Sequence, residues 1–143
     1  MDTEELKDRI ALKELVDRIS MLADKKDFAA QVQLFTEDAA CETVANGIKV
    51  LNLQGREEMA TAFNNYLKNV RTLFHFNGQH IVNINGSKAT GTSYCVITMV
   101  HAEDNNRRTT TIRAIYSDDY VRVNNKWLIA KRIVNFVTEE IGI

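Results

Sequence analysis

The stretch FHFNGQHIVNINGSKATGTSYCVI, residues 74–97, sets two runs of strand-forming residues on either side of Asn85-Gly86, a dipeptide suited to a two-residue hairpin turn. It also places His75 between two phenylalanines and His80 just beyond Gly78, on a strand otherwise built for a core. Working outward, strands are expected over about 72–84, 87–102, 109–122 and 127–137, separated by Asn85-Gly86, the Asn105-Asn106 region and Asn124-Asn125. Upstream, 39–45 and 48–53 flank Asn46-Gly47, a further hairpin signal.

Ahead of these strands the period changes. Apolar residues at Leu6, Ile10, Leu15, Val16, Ile19 and Leu22 predict an amphipathic helix over 4–23, with acids at its front end. Asp27 is placed to cap a shorter helix through Phe35, and a third starts near Gly55, with Met59, Ala62, Phe63 and Leu67 at helical spacing. Helices first and a strand meander last argue for an α+β fold: a cone-shaped, curved antiparallel sheet with three N-terminal-half helices on its concave face. The whole of 1–143 reads as one domain.

If the turns at 85–86, 105–106 and 124–125 are two-residue loops, strand register follows. His75 falls in a row with Val96, Ile115 and Val134. The next row holds Asn77, Tyr94, Ser117 and Arg132, and the row on the other side holds Thr98, Arg113 and Phe136. The opposite face takes Cys95, Ile97, Met99, Ala114 and Tyr116, and by the same register His80 and His101. A bulge at Gly78 would move His75 to the other face. Both faces are largely apolar, so one is expected to take the helices and the other a second subunit.

Composition excludes several function classes. Eighteen Lys and Arg against nineteen Asp and Glu leave a net charge of −1, which gives no electrostatic reason for a nucleic acid or anionic membrane partner. Arg107 and Arg108 follow Glu103 and Asp104, and read as a solvated hairpin tip. No apolar run approaches the roughly 20 residues that span a bilayer, and MDTEELKDR is no signal peptide. Cys41 and Cys95 lack the spacing of zinc ligands and read as buried thiols, so a cytoplasmic setting is expected. Three histidines split between two faces leave no expected metal site.

Three stretches together carry a resemblance: IALKELVDRISMLADKKDFAAQVQLFTEDAACE, residues 10–42; FHFNGQHIVNINGSKATGTSYCVI, residues 74–97; and IYSDDYVRVNNKWLIAKRIV, residues 115–134. The chain resembles the SnoaL-like proteins of the cone-shaped nuclear transport factor 2-like (cystatin-like) fold, among them scytalone dehydratase, bile acid 7α-dehydratase and hexachlorocyclohexane dehydrochlorinase. The resemblance implies that His75 acts as general base and that Asp24, in LADKKDF, fixes its tautomer and strengthens it. It implies no cofactor, and it supports the unbulged register, because it needs His75 to face the helices. Those dehydratases polarise the substrate with tyrosines near the Asp, whereas residues 19–23 here read ISMLA. By register, Tyr94 or Arg132 takes that role, and Val96, Ser117 and Arg113 join them as substrate contacts. The expected activity is that of a dehydratase, isomerase or cyclase on a small apolar ring compound, in a homodimer, with a homotrimer as the alternative assembly. The competing reading is a non-catalytic ligand-binding or dimerisation module of the same fold.

Overall fold

The computed structural model describes residues 1–102 and 107–142. Helix α1 (Thr3–Asp24) begins at Asp2, whose side chain accepts from the Glu5 amide at 2.8 Å, and Glu4 and Glu5 complement the helix dipole in its first turn. It buries Leu12, Leu15, Val16, Ile19 and Ala23. Asp27 caps the short α2 (Phe28–Gln31) by accepting from the Ala30 amide, and a 3₁₀ turn (Val32–Leu34) leads into β1 (Phe35–Ala45). A strand therefore claims Phe35, where the helical pattern had been extended through it. Strand β2 (Ile48–Gln54) follows Asn46 and Gly47, both at positive φ, and α3 (Arg56–Leu67) starts at Gly55.

The remaining chain forms β3 (Val70–Asn85), β4 (Lys88–His101), β5 (Thr109–Val123) and β6 (Lys126–Gly142). The curved, unclosed sheet has the order β2-β1-β6-β5-β4-β3, so β2 and β3 are its edges. It is mixed rather than wholly antiparallel, because β1 runs parallel to β6. The connection from β1 to β6 runs through the 80 residues between them, so no short crossover is needed.

Register departs from expectation at several places. The first long hairpin turns on Gly86-Ser87, with Gly86 at φ +64°, rather than on Asn85-Gly86. Gly78 and Gln79 form a bulge between the pairs Asn77–Cys95 and His80–Ser93. A further shift lies between Asp119 and Tyr120 in the β5–β6 ladder. Each bulge reverses which side chains share a face. The first puts Cys95, Ile97, Ala114 and Tyr116 on the helix side with His75, and the second restores Arg132, Val134 and Phe136 to that side. The Asn105-Asn106 turn and its acidic neighbours lie outside the described residues.

The helix-side core has two parts. Leu12, Val16, Ile19, Phe35, Met59, Tyr120 and Ile129 fill one. Ala23, Phe28, Val70, Leu73, Ile97, Ile112 and Tyr116 line the other, which holds the cavity described next. Among the described residues no helix is long and apolar enough to cross a membrane.

Candidate active site

Asp24 is the last residue of α1, and the chain reverses directly behind it. Lys26 adopts a left-handed φ of +57°, its amide donates to Ala23 O at 2.8 Å, and the Asp27 amide donates to Leu22 O at 3.0 Å. This is the double-bonded helix stop usually built around glycine. The Lys26 ammonium bonds Val70 O and ties the stop to the start of β3. A carboxylate at this end opposes the helix dipole, so something must compensate for it. The compensation comes from β3. As an edge strand it has one row of amides unpaired within the sheet, and the His75 amide donates to both Asp24 oxygens, at 3.0 and 3.2 Å. The His75 ring adds Nδ1 to Asp24 Oδ1 at 2.6 Å. A carboxylate only accepts, so Nδ1 carries the proton and Nε2 is the free lone pair of the neutral ring.

One turn earlier on α1, Ser20 is held against the same strand. Asn77 Nδ2 donates to Ser20 Oγ and to Asp17 Oδ1, each at 3.0 Å. Helix and strand are thus fixed on both sides of the dyad.

His75 lies in the wall of a cavity of about 250 Å³ bounded by α1, α2, α3 and the sheet. Most of the wall is apolar, from Phe28, Phe63, Leu73, Ile97, Met99 and Phe136, with Val50 and Tyr66 at its exposed rim. Its buried cation is Arg132, whose Nε and Nη2 donate to the two Asp118 oxygens at 2.8 and 3.0 Å and whose guanidinium lies 4.0 Å from the Tyr116 ring centre. Nη1 has no hydrogen-bond partner among the described residues, and Arg132 lines the cavity. Burial alone would lower the Arg132 pKa, but the charge and hydrogen bonds of Asp118 hold it above its ordinary value.

Asp118 also accepts from Tyr120 Oη at 3.0 Å, and Tyr120 Oη meets His80 Nε2 at 3.1 Å. Burial lowers the His80 pKa, with Asp118 partly opposing it. Burial raises Tyr116 and Tyr120, so both stay phenols, and it pushes the Cys41 thiol in the cavity wall up to about 11. Among the described residues no group of three or more His, Cys, Asp or Glu side chains could hold a metal ion.

His75 and Arg132 thus line one mostly apolar chamber beneath three helices. The model of the SnoaL-like domain matches residues 4–133. The chain belongs to the SnoaL-like family. A scytalone dehydratase-like structure from Novosphingobium aromaticivorans is similar to this SnoaL-like chain with a TM-score of 0.84 at 16% identity, covering 98% of this chain and 91% of its own. A hexachlorocyclohexane dehydrochlorinase, type 2, gives 0.84 at 18% identity, covering 100% and 94%. A Nostoc punctiforme protein of unknown function with a cystatin-like fold gives 0.73 at 26%, covering 90% of each chain. No functionally curated protein matches the sequence. The likenesses to the first two, at these identities, establish the nuclear transport factor 2-like fold.

Within this SnoaL-like domain the expected site residues divide cleanly. Asp24, His75 and Arg132 come together at the cavity, Asp24 through its bonds to His75. Tyr94, Val96, Arg113 and Ser117 do not. The Gly78 bulge turns all four to the outer face, where Tyr94 is 48% and Val96 38% exposed and Arg113 donates to Glu140 Oε1 at 2.9 Å. His80 and His101, expected on the outer face, bond Tyr120 and the buried Thr110 on the helix side. Arg132 pairs with Asp118. Sequence reasoning missed Tyr116, Cys41, Gln31 and Ser20 in the wall. Only the bulge at Gly78-Gln79 signals the first of these. Gln31 and Ser20 sit on helices that read as ordinary amphipathic segments.

Proposed function

We propose that this SnoaL-like protein is a cofactor-independent lyase or isomerase that removes a proton from a carbon next to a carbonyl in a small, mostly apolar ring compound. The observation that carries this reading is the 2.6 Å contact between His75 Nδ1 and Asp24 on the wall of an apolar cavity. With Nδ1–H committed to Asp24, His75 Nε2 takes the substrate proton and Asp24 stabilises the imidazolium that forms. The carbonyl oxygen gains negative charge as the C–H bond breaks, and Arg132 Nη1 is the donor placed to receive it. Loss of halide, or of the neighbouring hydroxyl as water once it takes the proton back from the His75 imidazolium, completes an elimination; return of that proton to another carbon completes an isomerisation. The similarity of the fold to a dehydrochlorinase and a dehydratase-like protein supports the same class. We infer further that the chain forms a homodimer through its outer sheet face, where Phe74 and Phe76 are 54% and 67% exposed beside Tyr94 and Val96.

The test is α-proton exchange of indanone in D₂O followed by NMR. The reading expects the wild type to exceed the buffer rate and His75→Ala to fall back to it. A His75→Ala protein that exchanges like wild type removes the base assignment. A wild type no faster than buffer favours the non-catalytic ligand-binding reading.

A further inference from the structure

The proposed base reaction uses His75 and Arg132 and leaves one polar group of the cavity wall unexplained. Gln31, at the end of α2, lines the cavity and is 6% exposed. Its Nε2 donates to Ile19 O at 3.2 Å, while its Oε1 is an enclosed atom with no hydrogen-bond partner among the described residues. The amide cannot be turned the other way, because Ile19 O only accepts and would then face a second acceptor. A buried acceptor without a donor costs free energy that a leucine or methionine of similar size would avoid.

The other polar groups of that wall do not relieve it. Ser20 Oγ is engaged with Asn77, and Arg132 spends two nitrogens on Asp118. Gln31 itself lines the cavity. The terminal torsion of a glutamine is broad, so a small rotation that keeps Nε2 on Ile19 O presents the oxygen to an occupant.

We propose that the ligand carries a hydrogen-bond donor, a ring hydroxyl, that Gln31 Oε1 accepts, so that Gln31 selects hydroxylated ring compounds over bare ones. The premise is the reading above that the cavity takes a small ring compound. Three polar groups of the wall then have separate duties: Arg132 Nη1 donates to an oxygen, His75 Nε2 takes a carbon-bound proton, and Gln31 receives a hydroxyl. A dry hydrocarbon ring would fill the same space and leave the amide oxygen unmet.

The experiment compares indanone with its ring-hydroxylated isomers by NMR titration of the wild type and of Gln31→Leu. At least one hydroxylated isomer is expected to bind the wild type about ten-fold tighter than indanone, the scale of one added hydrogen bond. Gln31→Leu is expected to remove that preference, so that the hydroxylated isomer and indanone bind the variant alike. In wild type labelled at glutamine, the Gln31 carboxamide resonances shift with the hydroxylated isomer and not with indanone, a readout that needs no variant to fold. Equal binding of all isomers, a preference that survives Gln31→Leu, or an unmoved Gln31 resonance each overturn the assignment. If no indanone binds, the premise falls with it. If the Gln31-dependent preference is found but indanone exchanges no faster than in buffer, the base reading fails and the Gln31 assignment stands.

Discussion

Asp24 performs two tasks whose requirements differ. It accepts from the exposed amide of an edge strand and it orients an imidazole, at 3.0 and 2.6 Å from the same oxygen. An asparagine can keep one oxygen on the amide, but it brings an N–H where the second oxygen stood and removes the charge that steadies an imidazolium. Asp24→Asn is therefore expected to stay folded by circular dichroism and to lose about 10²-fold or more in α-proton exchange; exchange at the wild-type rate would show that the carboxylate is only a strand cap. Arg132 behaves differently. Asp118 is fully buried with it, so removing the cation strands a charge. Arg132→Met is expected to cost about 3–5 kcal/mol in urea unfolding, with much of it recovered in the double variant Asp118→Asn, Arg132→Met. An additive double variant would mean the pair is not coupled.

Among the elements, β4 shows how tightly the sheet is packed at the far end of the cavity network. A Cβ added at Gly91 would meet Tyr120 Cε2 at 2.8 Å and Val82 Cγ1 at 3.1 Å. Tyr120 cannot swing aside, because its hydroxyl bridges Asp118 and His80. Gly91→Ala is thus expected to lower stability by about 1–3 kcal/mol through overpacking, read by thermal melting; an unchanged melting temperature would show that Tyr120 has room to move. The sequence marks this position as a glycine in a strand without revealing what approaches it. Strand register was similarly half-legible. The alternation within β4 and β5 is plain in Cys95, Ile97 and Met99 and in Ala114 and Tyr116. Which face that set takes depends on bulges at Gly78-Gln79 and before Tyr120. A bulge adds one residue without changing the local pattern, so periodicity alone carries Tyr94 and Ser117 into a cavity they never reach.

At the scale of the whole molecule the helix-then-meander order and the three family-like stretches were enough for the α+β cone. The parallel β1–β6 pair was not visible, because it joins segments separated by 80 residues and leaves no local signal. The Asp24–His75 contact was anticipated from the resemblance, whereas residues 24 and 75 carry no spacing that would join them. The outer face makes a separate demand. Phe74, Phe76, Tyr94 and Val96 form an exposed apolar surface along the β3 edge. In sedimentation equilibrium the wild type is expected as a dimer, and Phe76→Lys with Val96→Lys as a folded monomer. A monomeric wild type would contradict the proposed assembly.

The central claim is that a carboxylate closing the first helix fixes one imidazole with its reactive nitrogen toward an apolar chamber. Nitrogen-15 NMR of the histidine rings at a pH where His75 is neutral tests it directly. The account predicts that His75 shows a protonated Nδ1 and a bare Nε2, and that Asp24→Asn or Asp24→Ala disturbs this state. A His75 found with the proton on Nε2 in the wild type would contradict it.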